Sequence, residues 1–300
     1  MAVIRKNSIR LSGNDRTFYL IMDAVITILT LVILYPLIYV VSNSISSPAA
    51  VLGGKVYLWP VDLSLEGYKA IFSKNDVFYG YFNSAFYATV GTSFNVLVTM
   101  LCAYPLSRRD LPYKGLFMFV FIFTMYFSGG MIPTYILVRS MKLIDTRAVM
   151  ILISLMSVYN MIIARTFIAS SIPHDLLESA KIDGCSDLRY FINIILPLSK
   201  AVMAVIALYY AVGHWNSYFN AFLYLNSKSK YPLQIFLREI LIANQMSNLD
   251  YDPELAAIKQ GLADVLKYSL IVVASAPILC AYPFAQKYFV KGVMIGSLKG

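Results

Sequence analysis

Six apolar runs, each long enough to cross the hydrocarbon core of a bilayer, constrain this chain more than any other feature. They lie at roughly 18–42, 83–106, 115–138, 148–170, 200–225 and 266–290. A helix needs about 20 predominantly apolar residues to span that core, and a spanning segment must satisfy its own backbone hydrogen bonds. The expected fold class is therefore all-α: a polytopic membrane protein of six transmembrane helices, forming one membrane domain over 1–300. Composition agrees, with 59% hydrophobic and 14% charged residues against roughly 45–50% and about 25% in soluble domains. The first run follows Arg5, Lys6, Arg10 and Arg16. It is too long for a signal-peptide core and lacks a small-residue cleavage site, so it reads as a retained span.

The net charge of +9 would suggest a nucleic-acid partner in a soluble chain. Here the basic residues cluster at the ends of apolar runs, where they contact lipid headgroups and set topology. No nucleic acid is expected. With the N-terminus inside, fourteen of the 25 Lys and Arg residues fall on the cytoplasmic side. The compact turn SRRDLPYK (107–114) adds to that bias, and six spans then put both termini in the cytoplasm. The outer segment 226–265 contains YPLQIFLREILIAN, whose Leu233, Phe236, Leu237, Ile240 and Leu241 recur at helical spacing. That is an amphipathic helix lying on the membrane or packed against the bundle.

Several chemistries are missing. Asp23 is the sole acid within a run, and its place near the span end suits an interfacial group, so ion-coupled transport has little to work with. His174 and His214 lie forty positions apart, without HExxH or GxSxG. Next to Trp215, His214 reads as a packed or pore-facing polar group. GGKV at 53–56 has neither the spacing nor the hydroxyl of a phosphate loop. Cys102, Cys185 and Cys280 form no CxxC or Cys/His set, so no metal site is expected. The chain itself is not expected to be an enzyme or to hold a cofactor.

One stretch stands out against this background: ESAKIDGCSDLRYFINIILP (178–197) packs Glu178, Lys181, Asp183, Asp187 and Arg189 into twelve positions. Pro173 suits a helix start, Gly184 suits a left-handed C-cap, and Ser186 can cap a second helix with Asp187 in its first turn. The segment 171–197 is thus a helix, a glycine corner and a second helix returning to the membrane. Leu188, Phe191, Ile192 and Ile195 lie on the second helix. An apolar ridge with a charged rim suits a protein contact, or equally a cover over the bundle's cytoplasmic face.

Glu178-Ser179-Ala180, Gly184, Ile194, Leu196 and Pro197 resemble the EAA---G---------I-LP motif of ABC-transporter permeases, with Ser179 replacing the second alanine. The resemblance implies a type I importer permease with a coupling helix, including Asp183 and Leu188, that docks on a separate ATP-hydrolysing subunit. ATP and magnesium would be held by that subunit. WNSYFNAFLYL (215–225), Tyr231-Pro232-Leu233, LSLEGYKAIF (63–72) before Asn83-Ser84, and YPFAQKYFVKGVMIGSLKG (282–300) resemble carbohydrate-uptake permeases, the last being similar to the smaller permease of maltose-type transporters. This implies an oligosaccharide or glycoside substrate, a second and non-identical permease, an extracytoplasmic solute-binding protein, and residence in a bacterial cytoplasmic membrane. A non-sugar solute such as peptide or phosphate is the alternative, and an ion-coupled carrier a more distant one.

Within the fifth run, Tyr209, Gly213, Asn216 and Asn220 recur at helical spacing, with Trp215, Tyr218, Phe219 and Phe222 nearby. Asn amides both donate to and accept from hydroxyls, and aromatic rings pair an apolar face with a polar handle. These residues suit a sugar pathway or helix packing. Thr92, Asn95 and Thr99 share a face of the second run. Ser154, Ser157 and Asn160 do so in the fourth. Gly129-Gly130 with Pro133 is expected to bend the third.

Overall fold

The computed structural model describes residues 13–73, 75–246 and 253–297. These are helical almost throughout, with one isolated bridge between Ser46 and Leu63. The chain divides into two compact units, one of residues 1–70 with 244–272 and one of 71–243 with 273–300.

In the first unit the helix Gly13–Ser44 is apolar on every side, and the described residues from 15 to 37 are exposed. A helix that is hydrophobic all round belongs in a core or in lipid. Apolar and exposed among the described residues, it suits a lipid environment. Its end is tied down by hydroxyls: Ser42 Oγ donates to Leu58 O (2.6 Å), Val61 N donates to Ser46 Oγ (3.1 Å), and Ser269 Oγ donates to Ser44 O (3.2 Å).

The second unit is built on three helices, Asn75–Ser107, Val158–Ser171 and Lys200–Trp215. Their shared core holds Met100, Ala103, Met161, Ala164 and Ile206, with Leu177, Ala180, Tyr190 and Phe191 of the charged segment packed on its end. Ala103 and Ala164 are fully buried, the small residues that let membrane helices approach closely. The helix Leu233–Met246 buries Leu233, Phe236, Leu237 and Ile240 and exposes Arg238 and Glu239. The predicted amphipathic stripe therefore packs against protein.

Among the described residues three helices are long and apolar enough to cross a membrane: Asp15–Ser44, Asn75–Ser107 and Lys259–Pro283. They correspond to the first, second and sixth runs. The other three runs are interrupted: the third at the bend expected from Gly129-Gly130 and Pro133, the fourth and fifth where run length predicts unbroken spans. The third splits into Lys114–Tyr126 and Met131–Ser140 with a bend of 111°, turning at Gly130, whose φ of +84° favours glycine. The fourth splits into Arg147–Leu152 and Val158–Ser171, because Ser157 Oγ accepts from Asn160 N (3.4 Å) and starts a new helix. The fifth stops at Trp215 instead of 225 and resumes as Phe219–Tyr224.

Candidate functional site

Two of these breaks face each other across a cavity of about 790 Å³. Irregular backbone is tolerated at membrane depth where it lines a polar cavity or is buried in protein, and broken helices mark binding sites in transporters. One wall comes from the break before Val158 and supplies Ser154, Ser157 and Asn160. The opposite wall comes from the end of Lys200–Trp215 and the turn beyond it. It supplies Tyr209, Gly213, Asn216, Tyr218, Phe219 and Asn220. Amides, hydroxyls and aromatic faces thus converge there, and among the described residues no Lys, Arg, Asp or Glu lines the space.

A buried polar layer fixes both breaks, and two of its members, Tyr210 and His214, also line the cavity. Asn95, fully buried, donates from Nδ2 to Ser154 O, and its Oδ1 lies 2.8 Å from His214 Nε2. Since the amide nitrogen is committed to Ser154, Oδ1 is the acceptor and His214 Nε2 carries the proton. Tyr210 Oη accepts from Ser157 N (2.9 Å) and shares a hydrogen bond with Thr99 Oγ1 (2.7 Å). The His214 ring fits because position 91 has no side chain: a Cβ there would lie 2.5 Å from Nε2.

Asn95 therefore stands one layer behind the cavity. Trp215 does not line it either. At 100° per residue, Trp215 is rotated away from both Gly213 and Asn216, and its Nε1 donates to Ala274 O (3.0 Å). Replacing Trp215 with Phe should lower thermal stability by about 1 kcal/mol, the worth of one hydrogen bond, with unchanged solute preference; a melting curve in detergent paired with uptake competition checks this. At the cavity margin, Tyr218 and Phe222 stack at 5.9 Å, and the Arg238 guanidinium sits 4.6 Å and 5.2 Å from their ring centroids.

The charged segment forms the elbow that local chemistry predicts. Helix Asp175–Ile182 buries Leu177 and Ala180 and ends at Gly184, φ +74°. Cys185 N closes the cap on Ala180 O (2.9 Å). Ser186 Oγ accepts from Arg189 N (3.4 Å) to start the segment Asp187–Leu198. Phe191 and Ile195 face the core, and Ile194 and Leu196 lie half-buried against it. The opposite side keeps Ile182 86% exposed, with Leu188 and Ile192 also outward. Glu178, Ser179, Asp183, Gly184 and Pro197 are exposed beside them.

The elbow is braced by a turn 79 residues away. Arg108 donates to Asp187, and also to Asp110 through Nε (2.8 Å) and Nη2 (2.5 Å); Lys181 Nζ lies 3.3 Å from the same carboxylate. The Arg108 hydrogen bonds hold the Asp110 carboxyl well below the usual carboxylate range, against partial burial, with Lys181 assisting. Its partner Asp110 in turn raises the Arg108 guanidinium.

The chain matches, over residues 14–295, the family described as binding-protein-dependent transport system inner membrane component. It belongs to that family. In Bacillus subtilis (strain 168) it is similar to the polygalacturonan/rhamnogalacturonan transport system permease protein YtcP, 40% identical over 95% of this chain and 99% of that protein. It is also similar to protein LplC of the same organism, 41% identical over 88% and 89%. Among solved structures it resembles a chain from the crystal structure of a bacterial ABC transporter involved in the import of the acidic polysaccharide alginate. That match has a TM-score of 0.81 and 32% identity, covering 93% of this chain and 99% of that one. As a family member the chain is a membrane transport component.

Sequence reasoning singled out Asn95 and His214 separately and did not pair them. It treated Asp187 as a dipole residue, not as the partner of Arg108. Arg238 counts in the sequence only as a basic residue of the outer side, with no spacing rule to set it beside Tyr218.

Proposed function

We propose that this permease is one half of the translocation pathway of an ATP-driven ABC importer for oligosaccharides. A sugar presents many hydroxyls and apolar ring faces. The observation that carries the reading is the uncharged wall of amides, hydroxyls and aromatic rings brought together by two broken helices. Sugar-import relatives support it. In this reading an extracytoplasmic binding protein delivers the oligosaccharide to the cavity.

ATP with magnesium is bound and hydrolysed in a separate subunit, which seats the elbow through Ile182, Leu188 and Ile192. A second, non-identical permease closes the open side, where Tyr159, Tyr209 and Phe219 stand exposed. The elbow and both termini face the cytoplasm. Nucleotide-driven movement of the elbow biases the bundle between outward- and inward-open states, the two-site, two-state condition that coupling requires.

The test is uptake by the complete transporter in sealed cells with labelled oligosaccharides. Uptake should require both ATP and the binding protein, and unlabelled oligosaccharide should compete while peptide and phosphate do not. Competition by peptide or phosphate alone would overturn the sugar reading. Uptake that survives ATP depletion under a maintained ion gradient would overturn the ABC mechanism.

A further inference from the structure

The cavity is without formal charge on its walls, yet a cation stands at its margin. Arg238 projects from the exposed side of the Leu233–Met246 helix and lies over the rings of Tyr218 and Phe222. Tyr218 is itself a wall residue, so one ring connects the cation to the cavity. Among the described residues Arg238 forms no ion pair; neighbouring Glu239 points about 100° away around the helix.

Among the described residues the partners of the guanidinium are those two rings, so its planar N–H fork remains available to a further acceptor. That fork matches the two oxygens of a carboxylate. A positive group at the mouth of a low-dielectric cleft also raises the local concentration of anions.

We propose that Arg238 is a specificity-determining residue that recognises the carboxylate of an acidic, uronate-type oligosaccharide at the cavity margin, while Tyr218 holds the guanidinium in place. This rests on the oligosaccharide reading above and adds the charge class of the substrate and the residue that reads it. The uncharged wall then handles hydroxyls common to neutral and acidic sugars, and discrimination falls to one cation.

The experiment compares uptake by the complete transporter of short oligogalacturonides and oligomannuronates with that of neutral galactose and glucose oligomers of equal length. Wild type, Arg238→Gln and Arg238→Lys are measured at membrane levels matched by immunoblot. Wild type should prefer the acidic oligomers. Arg238→Gln should raise their half-saturation concentration about ten- to a hundred-fold, as expected for losing hydrogen bonds to a charged group, and leave neutral oligomers within about two-fold. Arg238→Lys, which keeps the charge but loses the planar fork, should fall between.

Equal losses for acidic and neutral oligomers would make Arg238 a structural brace and overturn the proposal, as would no loss for either. If Arg238→Gln fails to reach the membrane, Arg238→Lys decides: an unchanged acidic-over-neutral preference overturns the role of the fork. Wild-type uptake of neutral oligomers alone would remove the acidic class and leave the oligosaccharide reading standing. Uptake of neither, with ATP hydrolysis intact, would remove the oligosaccharide reading as well.

Discussion

Gly184→Val should leave the chain in the membrane at its normal level and lower solute uptake at least ten-fold. Position 184 has φ +74°, and a Cβ built there meets nothing within 4 Å. The penalty is therefore conformational: about 1–2 kcal/mol for an ordinary L-residue in the left-handed region, with β-branching making such a backbone a genuine outlier. The chain escapes by moving to negative φ. That breaks the bonds from Gly184 N to Lys181 O (3.1 Å) and from Cys185 N to Ala180 O (2.9 Å), and swings Asp187–Leu198 relative to Asp175–Ile182. Ile182 then no longer shares a surface with Leu188 and Ile192, the ridge proposed to seat the ATPase. Gly184→Asn is the control, because asparagine tolerates the left-handed region and should retain most uptake. Uptake by Gly184→Val at the wild-type rate, with equal protein in the membrane, would remove the corner from the coupling pathway.

That elbow was legible in the sequence because caps are local. Proline, glycine and serine at positions 173, 184 and 186 act on backbone groups within a few residues, so one sequence carries the whole instruction. Run length worked for 18–42, 83–106 and 266–290 for a similar reason, since a uniformly apolar stretch leaves the backbone no partner but itself. It failed at 148–170 and 200–225 because hydropathy averages over a window, whereas one Ser157 hydroxyl capturing one amide is enough to start a new helix inside the run. Adjacency misled in another way: Trp215 was grouped with Asn216, but neighbours in sequence are 100° apart on a helix. The Arg108–Asp187 brace joins residues 79 apart, and the Asn95–His214 pair joins residues 119 apart. Neither has a spacing rule, since tertiary packing alone brings the partners together.

Asn95→Leu should be the most damaging single substitution in the second unit, abolishing uptake and sharply lowering the melting temperature in detergent. Leucine keeps the branching of asparagine but carries bulkier methyl groups, so lost hydrogen bonds and overpacking of a fully buried site act together. It strands one buried group, the His214 Nε2–H, at a cost of about 1–3 kcal/mol, and frees the Ser154 carbonyl on the exposed cavity wall. The two groups sit on opposite walls of the cavity, one on Lys200–Trp215 and one in the break before Val158. Asn95 therefore sets the spacing of the walls as well as supporting them. Adding His214→Phe to Asn95→Leu should recover part of the stability, because replacing both partners of a buried pair with apolar groups is far less costly than orphaning one. Uptake should stay low, since Ser154 remains unanchored. Gly91→Ala approaches the same ring from the other side: its Cβ would lie 2.5 Å from His214 Nε2, pushing the imidazole off Asn95 with the amide intact. If Gly91→Ala lowers uptake as Asn95→Leu does, the position of the His214 ring governs the cavity. Wild-type uptake and melting in both variants would mean that the two walls are held apart by packing alone.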